Sequence, residues 1–394
     1  MGFEVGGGAN IVTVVFRAMT KTEKLLCELI ALPSVNNALL PAGHPRAGEQ
    51  RVADFLAATL VSAGLGVDLQ EVFPGRNNLL ARLSPSGKVR QRILLAPHMD
   101  TVDAADAKQL SPEKIGDRIC GRGACDTKGS VAAMAGALCE LAGSNRRPQA
   151  TEIIFAGLID EEVGQAGSRA LVKSKLKADL AIVGEPTRLE IMTAHKGNLW
   201  LKLETHGQAA HGARPDLGKN AVHEMARVVD LLETDYAAQL RQRRHALLGR
   251  PTINVGTISG GVQANIVPDY CAITIDRRTI PGETDASVLR EIKALLKKKH
   301  LRATFANTKD APCFPMETDT RLPLVREFMR SVGQSRARGA DYFCDASVLS
   351  RGGTPSVVFG PGDIAQAHTA DEWISAKSLE RAREILVHFL SALP

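Results

Sequence analysis

Two spacings of apolar residues alternate along the first half of the chain. Residues 21–32 and 48–63 carry apolar side chains at helical spacing, whereas residues 67–72 and 78–83 alternate apolar with polar ones, as paired strands do. Three short segments are almost wholly apolar, which is typical of strands buried on both faces: 93–96, 153–159 and 180–183. A helix is predicted over 129–141. This alternation of strands and helices predicts a three-layer α/β domain around a mostly parallel sheet.

A second pattern begins after Glu185. Four segments predict strands and two amphipathic segments predict helices, in the order β-α-β-β-α-β of a ferredoxin-like α+β unit: strands 198–204, 252–258, 270–275 and 302–306, and helices 221–232 and 286–299. From Pro323 the first pattern resumes with a helix, an apolar strand over 356–359 and a final helix over 376–390. We therefore expect residues 197–306 to form a small domain, inserted into a larger one made of residues 19–196 and 307–394.

Size and charge fit two globular domains and argue against nucleic acid or a membrane as a partner. A chain of 394 residues exceeds what one hydrophobic core usually serves. The formal charge of +6 includes no long basic tail, and aromatic residues make up only 4% of the chain. The apolar stretch at residues 11–16 is far too short to span a bilayer. We expect residues 1–18 to be an extended or disordered N-terminus before the folded part.

The cysteines give an expectation about location. Seven of them are scattered along the chain, which is an odd number at irregular spacing. Such a set does not indicate a disulfide framework. A reducing, cytoplasmic location therefore fits best.

Five short clusters place a carboxylate or an imidazole where a predicted strand ends or a helix begins: His98, Asp126, the pair Glu161-Glu162, Glu185 and His368. Each has an ordinary explanation when taken alone. Asp126 could cap the helix that follows it, and paired glutamates are common on wet surfaces. Gathered at one edge of a sheet, these groups would repel and desolvate one another. A pair of divalent cations removes that cost, and mixed imidazole and carboxylate ligands suit zinc, with cobalt or manganese possible.

Six motifs occur in order along the chain: HMDTVD from His98, GRGACDTKG from Gly121, DEEVGQAGSRAL from Asp160, VGEPT from Val183, HGQAAHGARP from His206 and AQAHTADE from Ala365. Together they resemble the family of dinuclear zinc hydrolases that contains aminoacylase, acetylornithine deacetylase, succinyl-diaminopimelate desuccinylase and glutamate carboxypeptidase. The resemblance runs from about Lys21 to the C-terminus. It implies an enzyme that hydrolyses an amide bond with two metal ions, and an inserted lid domain through which the chain forms a homodimer.

The resemblance also implies the ligands of both ions. One ion would be held by His98, Asp126 and Glu185, and the other by Asp126, Glu162 and His368, so that Asp126 bridges the pair. The peptide bond between Asp126 and Thr127 would be cis.

Two further acidic residues receive roles without binding metal. Asp100, two residues after His98, would orient that imidazole. Glu161 would be the general base, taking a proton from the attacking water and delivering it to the leaving amine.

Substrate contacts are implied in the lid and near the last strand. His211 would donate to the developing oxyanion, and in the family this histidine often comes from the partner subunit. Asn265 and Arg278 would bind the α-carboxylate of the substrate, with the neighbouring Arg277 as the alternative cation. The backbone N–H groups around Gly360 would contribute to the same carboxylate.

The residues leave the substrate open. The motifs around residues 194–197, 184–187 and 360–368 look most like acetylornithine deacetylase, which implies hydrolysis of N-acetylornithine to ornithine and acetate. Succinyl-diaminopimelate desuccinylase shares Glu185 in the corresponding motif, and a metal-dependent exopeptidase of the same family would use the same five ligands. An inactive binding protein would be expected to lack Glu161 or a ligand, and this chain has them all.

Overall fold

The computed structural model describes residues 19–307 and 311–394, so the predicted N-terminal segment 1–18 lies outside the described residues. The helices of the described part are, in chain order, α1 (Lys21–Ala31), α2 (Gln50–Ser62), α3 (Lys128–Ala142), α4 (Ala166–Lys173), α5 (Ala221–Leu231), α6 (Ala237–Arg241), α7 (Asp285–Lys298), α8 (Pro323–Ser331), α9 (Ala346–Arg351) and α10 (Ala376–Ser391). The strands are, in chain order, β1 (Gly66–Phe73), β2 (Arg76–Leu83), β3 (Gln91–Pro97), β4 (Glu113–Ile115), β5 (Arg118–Cys120), β6 (Thr151–Gly157), β7 (Leu180–Gly184), β8 (Met192–His195), β9 (Gly197–His206), β10 (Thr252–Gly260), β11 (Tyr270–Thr279), β12 (Thr304–Asn307), β13 (Met316–Glu317), β14 (Arg338–Ala340), β15 (Ser356–Val358) and β16 (Trp373–Ser375).

A mixed sheet forms the centre of the larger domain. Its strands follow the order β1-β2-β6-β3-β7-β15-β8-β13, and β14 pairs with β8 from off this path. The central strands β6, β3, β7 and β15 run parallel, whereas β1 and β2 continue the sheet antiparallel on one flank. Two parallel strands can be joined only by a long crossover connection, which is usually a helix. The parallel strands therefore come from the part of the chain in which helices separate the strands.

Alternation along the central strands buries both faces of this sheet. Ile93 and Leu95 of β3 belong to the hydrophobic core shared with α1, α3 and α10. Leu94 and Ala96 belong to a second core shared with α4 and α9. Successive strand residues point to opposite faces, so a wholly apolar run needs a helix layer on each side. The predicted three-layer α/β architecture is confirmed, with a sheet that is parallel at its centre and antiparallel at its flanks.

The inserted segment has a sheet and a core of its own. Its four strands pair antiparallel in the order β10-β11-β9-β12, as in a ferredoxin-like unit. Leu201 and Leu203 of β9 pack against Val228 of α5 and Val288 of α7. An α+β lid inserted in an α/β domain, as predicted, is therefore what the chain forms.

Short elements escape the sequence patterns. The patterns do not predict the strands β4, β5, β8, β13, β14 and β16, none of which exceeds four residues. A segment of that length is too brief to show a period. The helix predicted over 221–232 also continues further, through a wide turn at Leu232–Tyr236, into α6. Within the described residues, the helices are too short or too polar to cross a membrane.

The connections between the two domains touch each other. The backbone N–H of Asn198 donates to the carbonyl of Cys313 at 2.8 Å. At Gly197 an added Cβ would lie 2.5 Å from the Pro315 nitrogen and 2.6 Å from the Cys313 oxygen, so only glycine fits there. Just before this crossing, the fully buried His195 contacts the carbonyl of Lys196 through Nδ1 at 2.8 Å.

Candidate metal centre

The clustered carboxylates and imidazoles follow the carboxyl ends of parallel strands. Because β3, β6, β7 and β15 are parallel, the residues that follow them meet at one edge of the sheet. A sixth residue reaches this edge from the N-terminus of α3. The residues concerned are His98 after β3, Glu161 and Glu162 after β6, Glu185 after β7, His368 after β15, and Asp126 before α3.

Asp126 stands between two imidazoles. Its Oδ1 lies 3.1 Å from His98 Nε2, and its Oδ2 lies 3.3 Å from His368 Nε2. Glu185 Oε1 lies 3.9 Å from the same nitrogen of His98, and Glu162 Oε2 lies 3.1 Å from that of His368. The structure therefore brings all five predicted ligands together as two groups that share Asp126. The peptide bond between Asp126 and Thr127 is cis.

The donor atoms of these two groups fit divalent cations. Nitrogen and oxygen atoms bound to one tetrahedral zinc ion at about 2.0–2.1 Å are separated by roughly 3.3 Å, which is close to the spacing seen here. Glu162 Oε1 and Glu185 Oε1 are buried and have no hydrogen-bond partner among the described residues. Burial raises the pKa of Glu185 well above its usual range, and the negative charge of Asp126 raises it further. A cation would supply both the missing partner and the missing charge.

Asp100 supports the first of these imidazoles. His98 Nδ1 lies 2.9 Å from the carbonyl oxygen of Asp100 and 3.5 Å from its Oδ1, so Nδ1 is the nitrogen that donates. That arrangement makes Nε2, which faces Asp126 and Glu185, the nitrogen able to bind a cation. Asp100 therefore contacts His98 on the side away from Asp126, and its role in orienting the imidazole stays a prediction.

Glu161 and Glu162 are neighbours in the chain, and each has a carboxylate oxygen within 4.8 Å of a ring nitrogen of His98, whereas the 3.1 Å contact with His368 belongs to Glu162. A carboxylate oxygen of Glu161, a ring nitrogen of His98 and an oxygen of Glu185 all lie within 4.8 Å of one another. Loss of contact with water raises the pKa of Glu161 well above its usual range, and the negative charge of Glu185 raises it further. A carboxyl group with a raised pKa beside the cation site is able to accept and return a proton.

Glu372 is a site residue that the sequence analysis does not identify. Its buried carboxylate accepts hydrogen bonds from the backbone N–H groups of Gly123, Cys125 and Asp126 at 2.8–2.9 Å, and from Arg122 at 2.7 Å. The carboxylate thus holds the turn that presents Asp126. Glu372 is the last residue of the AQAHTADE motif, in which only His368 was assigned a role.

A second unidentified acid is Asp345, at the start of α9. It is buried, and its Oδ1 accepts a hydrogen bond from Ser168 at 2.5 Å, while Oδ2 has no partner within the described part of the chain. Burial raises the pKa of Asp345 to about 7. Its charge in turn contributes to the raised pKa of both Glu161 and Glu185.

The predicted lid residues make their own contacts within the inserted domain. His211 occupies the loop between β9 and α5, and its neighbour Gly212 donates to the carbonyl of Asn265 at 2.7 Å. Arg278 pairs with Asp276 at 3.0 Å at the end of β11. Across the described ranges, no hydrogen bond or ion pair joins His211, Asn265 or Arg278 to the clustered acids and imidazoles.

Arg277 is not available as the alternative cation for the α-carboxylate of the substrate. Its guanidinium is fully buried inside the lid, where it bonds to Tyr236 at 3.2 Å and to Glu283 at 2.6 Å. Adjacent strand residues point to opposite faces, so Arg278 is the one that points away from the lid core.

The structure corrects the expectation for Gly360. Its N–H donates to Thr187 Oγ1 at 3.1 Å and is not free for a substrate carboxylate. A Cβ at this position would meet Ser130 Oγ and would lie 2.5 Å from the carbonyl oxygen of Glu185. Gly360 therefore permits the close approach of two loops beside Glu185, and a role in binding the substrate is not supported.

Comparison with known proteins agrees with this fold and site. A model of the peptidase dimerisation domain matches residues 193–304, and a model of peptidase family M28 matches residues 78–239. The chain is 32% identical to acetylornithine deacetylase from Myxococcus xanthus, over 84% of this chain and 89% of that protein. It is 30% identical to acetylornithine deacetylase from Edwardsiella ictaluri, over 92% and 95% respectively. An M20 family metallo-carboxypeptidase from Sulfolobus solfataricus has the same fold, with a TM-score of 0.76 over 95% of this chain and 99% of that one at 19% identity.

The fold, the cluster of acids and imidazoles and these relatives define the class of protein: the chain is an enzyme, a hydrolase that depends on divalent metal. More narrowly, it belongs to the M20 family of metallohydrolases, which includes the acetylornithine deacetylases.

Proposed function

We propose that this enzyme hydrolyses the amide bond of an N-acyl amino acid, and that N-acetylornithine is its substrate, giving ornithine and acetate. The observation that carries the reaction class is Asp126, whose two oxygens face the two imidazoles while Glu161 lies beside one of them. The acetyl and ornithine parts of the proposal rest on the deacetylases to which the chain is about 30% identical over most of its length.

The residues divide the chemistry between them. His98, Asp126 and Glu185 hold one ion, and Asp126, Glu162 and His368 hold the other; zinc is the proposed metal because imidazole and carboxylate ligands suit it. Two bound ions would lower the pKa of the attacking water and polarise the scissile carbonyl. Glu161 takes the proton of that water as it adds to the carbonyl carbon. It then delivers the proton to the amine nitrogen as the C–N bond breaks, which balances the reaction.

The lid completes the site in this proposal. His211 donates to the carbonyl oxygen as negative charge develops on it, and Asn265 and Arg278 bind the α-carboxylate of the substrate. Within the described part of one chain, no hydrogen bond or ion pair joins these residues to the metal centre, so the proposal requires either lid closure or a second subunit. The match to a peptidase dimerisation domain over residues 193–304 favours a homodimer formed through the lid.

A second candidate is an exopeptidase that cuts a dipeptide or a terminal residue. The observation in its favour is the metallo-carboxypeptidase of the same fold, which matches 95% of this chain. The metal centre would be unchanged, and the difference would lie in the group that the pocket accepts on the acyl side.

A substrate panel separates these candidates. Purified enzyme loaded with Zn²⁺ or Co²⁺ is assayed with N-acetylornithine, N-succinyl-diaminopimelate, other N-acetyl amino acids and dipeptides. We expect the highest kcat/KM with N-acetylornithine, and Glu161→Gln serves as the control for contaminating activity. A higher kcat/KM with a dipeptide or with the succinylated compound would replace the proposed substrate, and activity with none of them would refute the proposed function.

A further inference from the structure

Asn36 is a fully buried side chain on the segment between α1 and α2. Its amide nitrogen donates to Asp100 Oδ2 at 2.8 Å and to Asp160 Oδ1 at 3.0 Å. Its carbonyl oxygen accepts from the backbone N–H of Ala38 at 3.0 Å. Both polar atoms are therefore engaged, and the amide N–H groups join two buried carboxylates.

The first of these carboxylates connects Asn36 to both halves of the metal centre. Asp100 Oδ1 accepts from the backbone N–H of Glu161 at 3.0 Å, and Oδ2 accepts from that of Glu162 at 3.1 Å. The same carboxylate lies 3.5 Å from His98 Nδ1. A displacement of Asp100 would therefore move an imidazole ligand and two glutamates together.

The second carboxylate fixes the chain immediately before Glu161. Asp160 has a φ of 66°, a left-handed conformation that few residues with a Cβ adopt. Its backbone N–H donates to Glu49 Oε1 at 3.3 Å, and its Oδ2 accepts from the backbone N–H of Ala166 at 3.3 Å. Asn36 adds the contact that ties this strained residue to Asp100.

The charges around Asn36 explain why a neutral amide is used. Glu49 is paired with Arg76 at 2.5 Å, and the same guanidinium lies 3.6 Å from Asp160. Asp100 and Asp160 both lie within 3.0 Å of the same Asn36 nitrogen, so their like charges are close and repel each other. An amide offers two N–H donors in one plane and bonds both acids without adding charge. Serine has a single O–H and alanine has none, so neither side chain is able to bridge the pair.

We propose that Asn36 is a positioning residue of the metal centre, which sets His98 and Glu161 relative to each other by bridging Asp100 and Asp160. The roles of His98 and Glu161 in this inference rest on the proposed function. Loss of a hydrogen-bond partner behind a ligand typically weakens metal binding by about 10–100-fold. The effect reaches both ions, because Asp100 supports His98 at one site and accepts from the backbone N–H of Glu162 at the other.

The test is a Co²⁺ titration of full-length, metal-free protein, followed by visible absorbance, with the wild type and Asn36→Ser. Asn36 is the N-cap of a short 3₁₀ helix, Asn37–Leu39. Serine is a good helix N-cap, so it keeps an acceptor for the N–H of Ala38 while it removes the bridge. We expect two binding steps in the wild type. In Asn36→Ser, both steps weaken, by up to about 10–100-fold.

Asn78→Ser is the matched control. Asn78 is also fully buried and makes three hydrogen bonds, to Gln70 at 2.9 Å, to the carbonyl of Gly167 at 2.9 Å and from the N–H of Ile159 at 3.1 Å. None of its partners is a carboxylate, so both cobalt steps should stay at wild-type strength although the protein loses stability.

The outcomes separate this inference from the proposed function. Wild-type cobalt affinities in Asn36→Ser would show that Asn36 is only a helix cap, and equal weakening in both serine variants would show a general loss of stability; either result overturns the inference. Because the titration uses no substrate, an inactive wild type with the expected cobalt pattern would refute the proposed function alone. A wild type that binds no cobalt would overturn both.

Discussion

The carboxylate of Glu372 accepts a hydrogen bond from the backbone N–H of Asp126 at 2.9 Å, across 246 residues of sequence. The same carboxylate pairs with Arg122 at 2.7 Å, in a place where both side chains are almost completely buried. It follows His368 by a few residues, so this contact ties together the two segments that supply ligands to one of the proposed ions.

Glu372→Gln should therefore destabilise the metal-free protein by about 3 kcal/mol, because it leaves Arg122 as a buried charge without a partner. The amide also turns one acceptor into a donor that faces backbone N–H groups. Urea unfolding monitored by circular dichroism measures the change. Glu380→Gln is the control, since Glu380 pairs with Arg383 at a partly exposed position and should cost less than about 1 kcal/mol. Equal losses in the two variants would contradict the role given to Glu372.

His195 should make stability depend on pH. Burial lowers the pKa of His195 from its ordinary value of 6.5 to about 4 in the folded state. Its Nε2 has no partner among the described residues, so a proton there would find no acceptor. Between pH 6.5 and pH 4 the unfolded chain binds a proton that the folded chain does not, and stability is lost as the pH falls through this window. The contribution lost by pH 4 is about 3 kcal/mol.

The measurement for His195 is the free energy of unfolding at pH 7 and at pH 4.5, for the wild type and His195→Gln. Other groups titrate in the same window, so the comparison between the two proteins isolates the histidine. We expect the wild type to lose more stability than the variant on acidification. Parallel curves for the two proteins would contradict a buried neutral ring at this position.

His211 should act in trans if the lid forms the predicted dimer. Two inactive dimers, Glu161→Ala and His211→Ala, are mixed so that their subunits exchange. In a mixed dimer, one site would combine the intact Glu161 of one chain with the intact His211 of the other, so activity should return to part of the wild-type level. Subunit exchange that is demonstrated without any return of activity would show that His211 acts within its own chain or has no catalytic role.

The parts of this site that the sequence predicts are those with a local signal. His98 follows a wholly apolar run, and that run alone indicates a central strand whose carboxyl end faces a ligand site. Asn36 and Glu372 have no such signal, because their partners, apart from Ala38, lie 64 to 250 residues away and meet only after the sheet has formed. At Gly360 the sequence motif was misleading. It suggested backbone N–H groups free to bind a substrate, but in the fold the N–H of Gly360 donates to Thr187.

The central claim is that Glu161 moves the proton and Glu162 holds metal, although they are adjacent. Glu162 Oε2 lies 3.1 Å from His368 Nε2, and Glu162 also groups with His98 and Asp126, whereas Glu161 groups with His98 and Glu185. Replacing either acid with glutamine preserves its shape and removes its charge. The two variants should therefore fail in different ways.

The most direct measurement is the metal content and the turnover, in parallel, of Glu161→Gln and Glu162→Gln. Glu161→Gln should retain two ions per chain by elemental analysis while kcat falls by about 10²–10⁴, the usual contribution of a general base. Glu162→Gln should bind its ions more weakly, and excess Zn²⁺ should restore part of the lost turnover. A Glu161→Gln protein that loses metal but keeps its activity per bound ion would contradict the account and exchange the roles of the two glutamates.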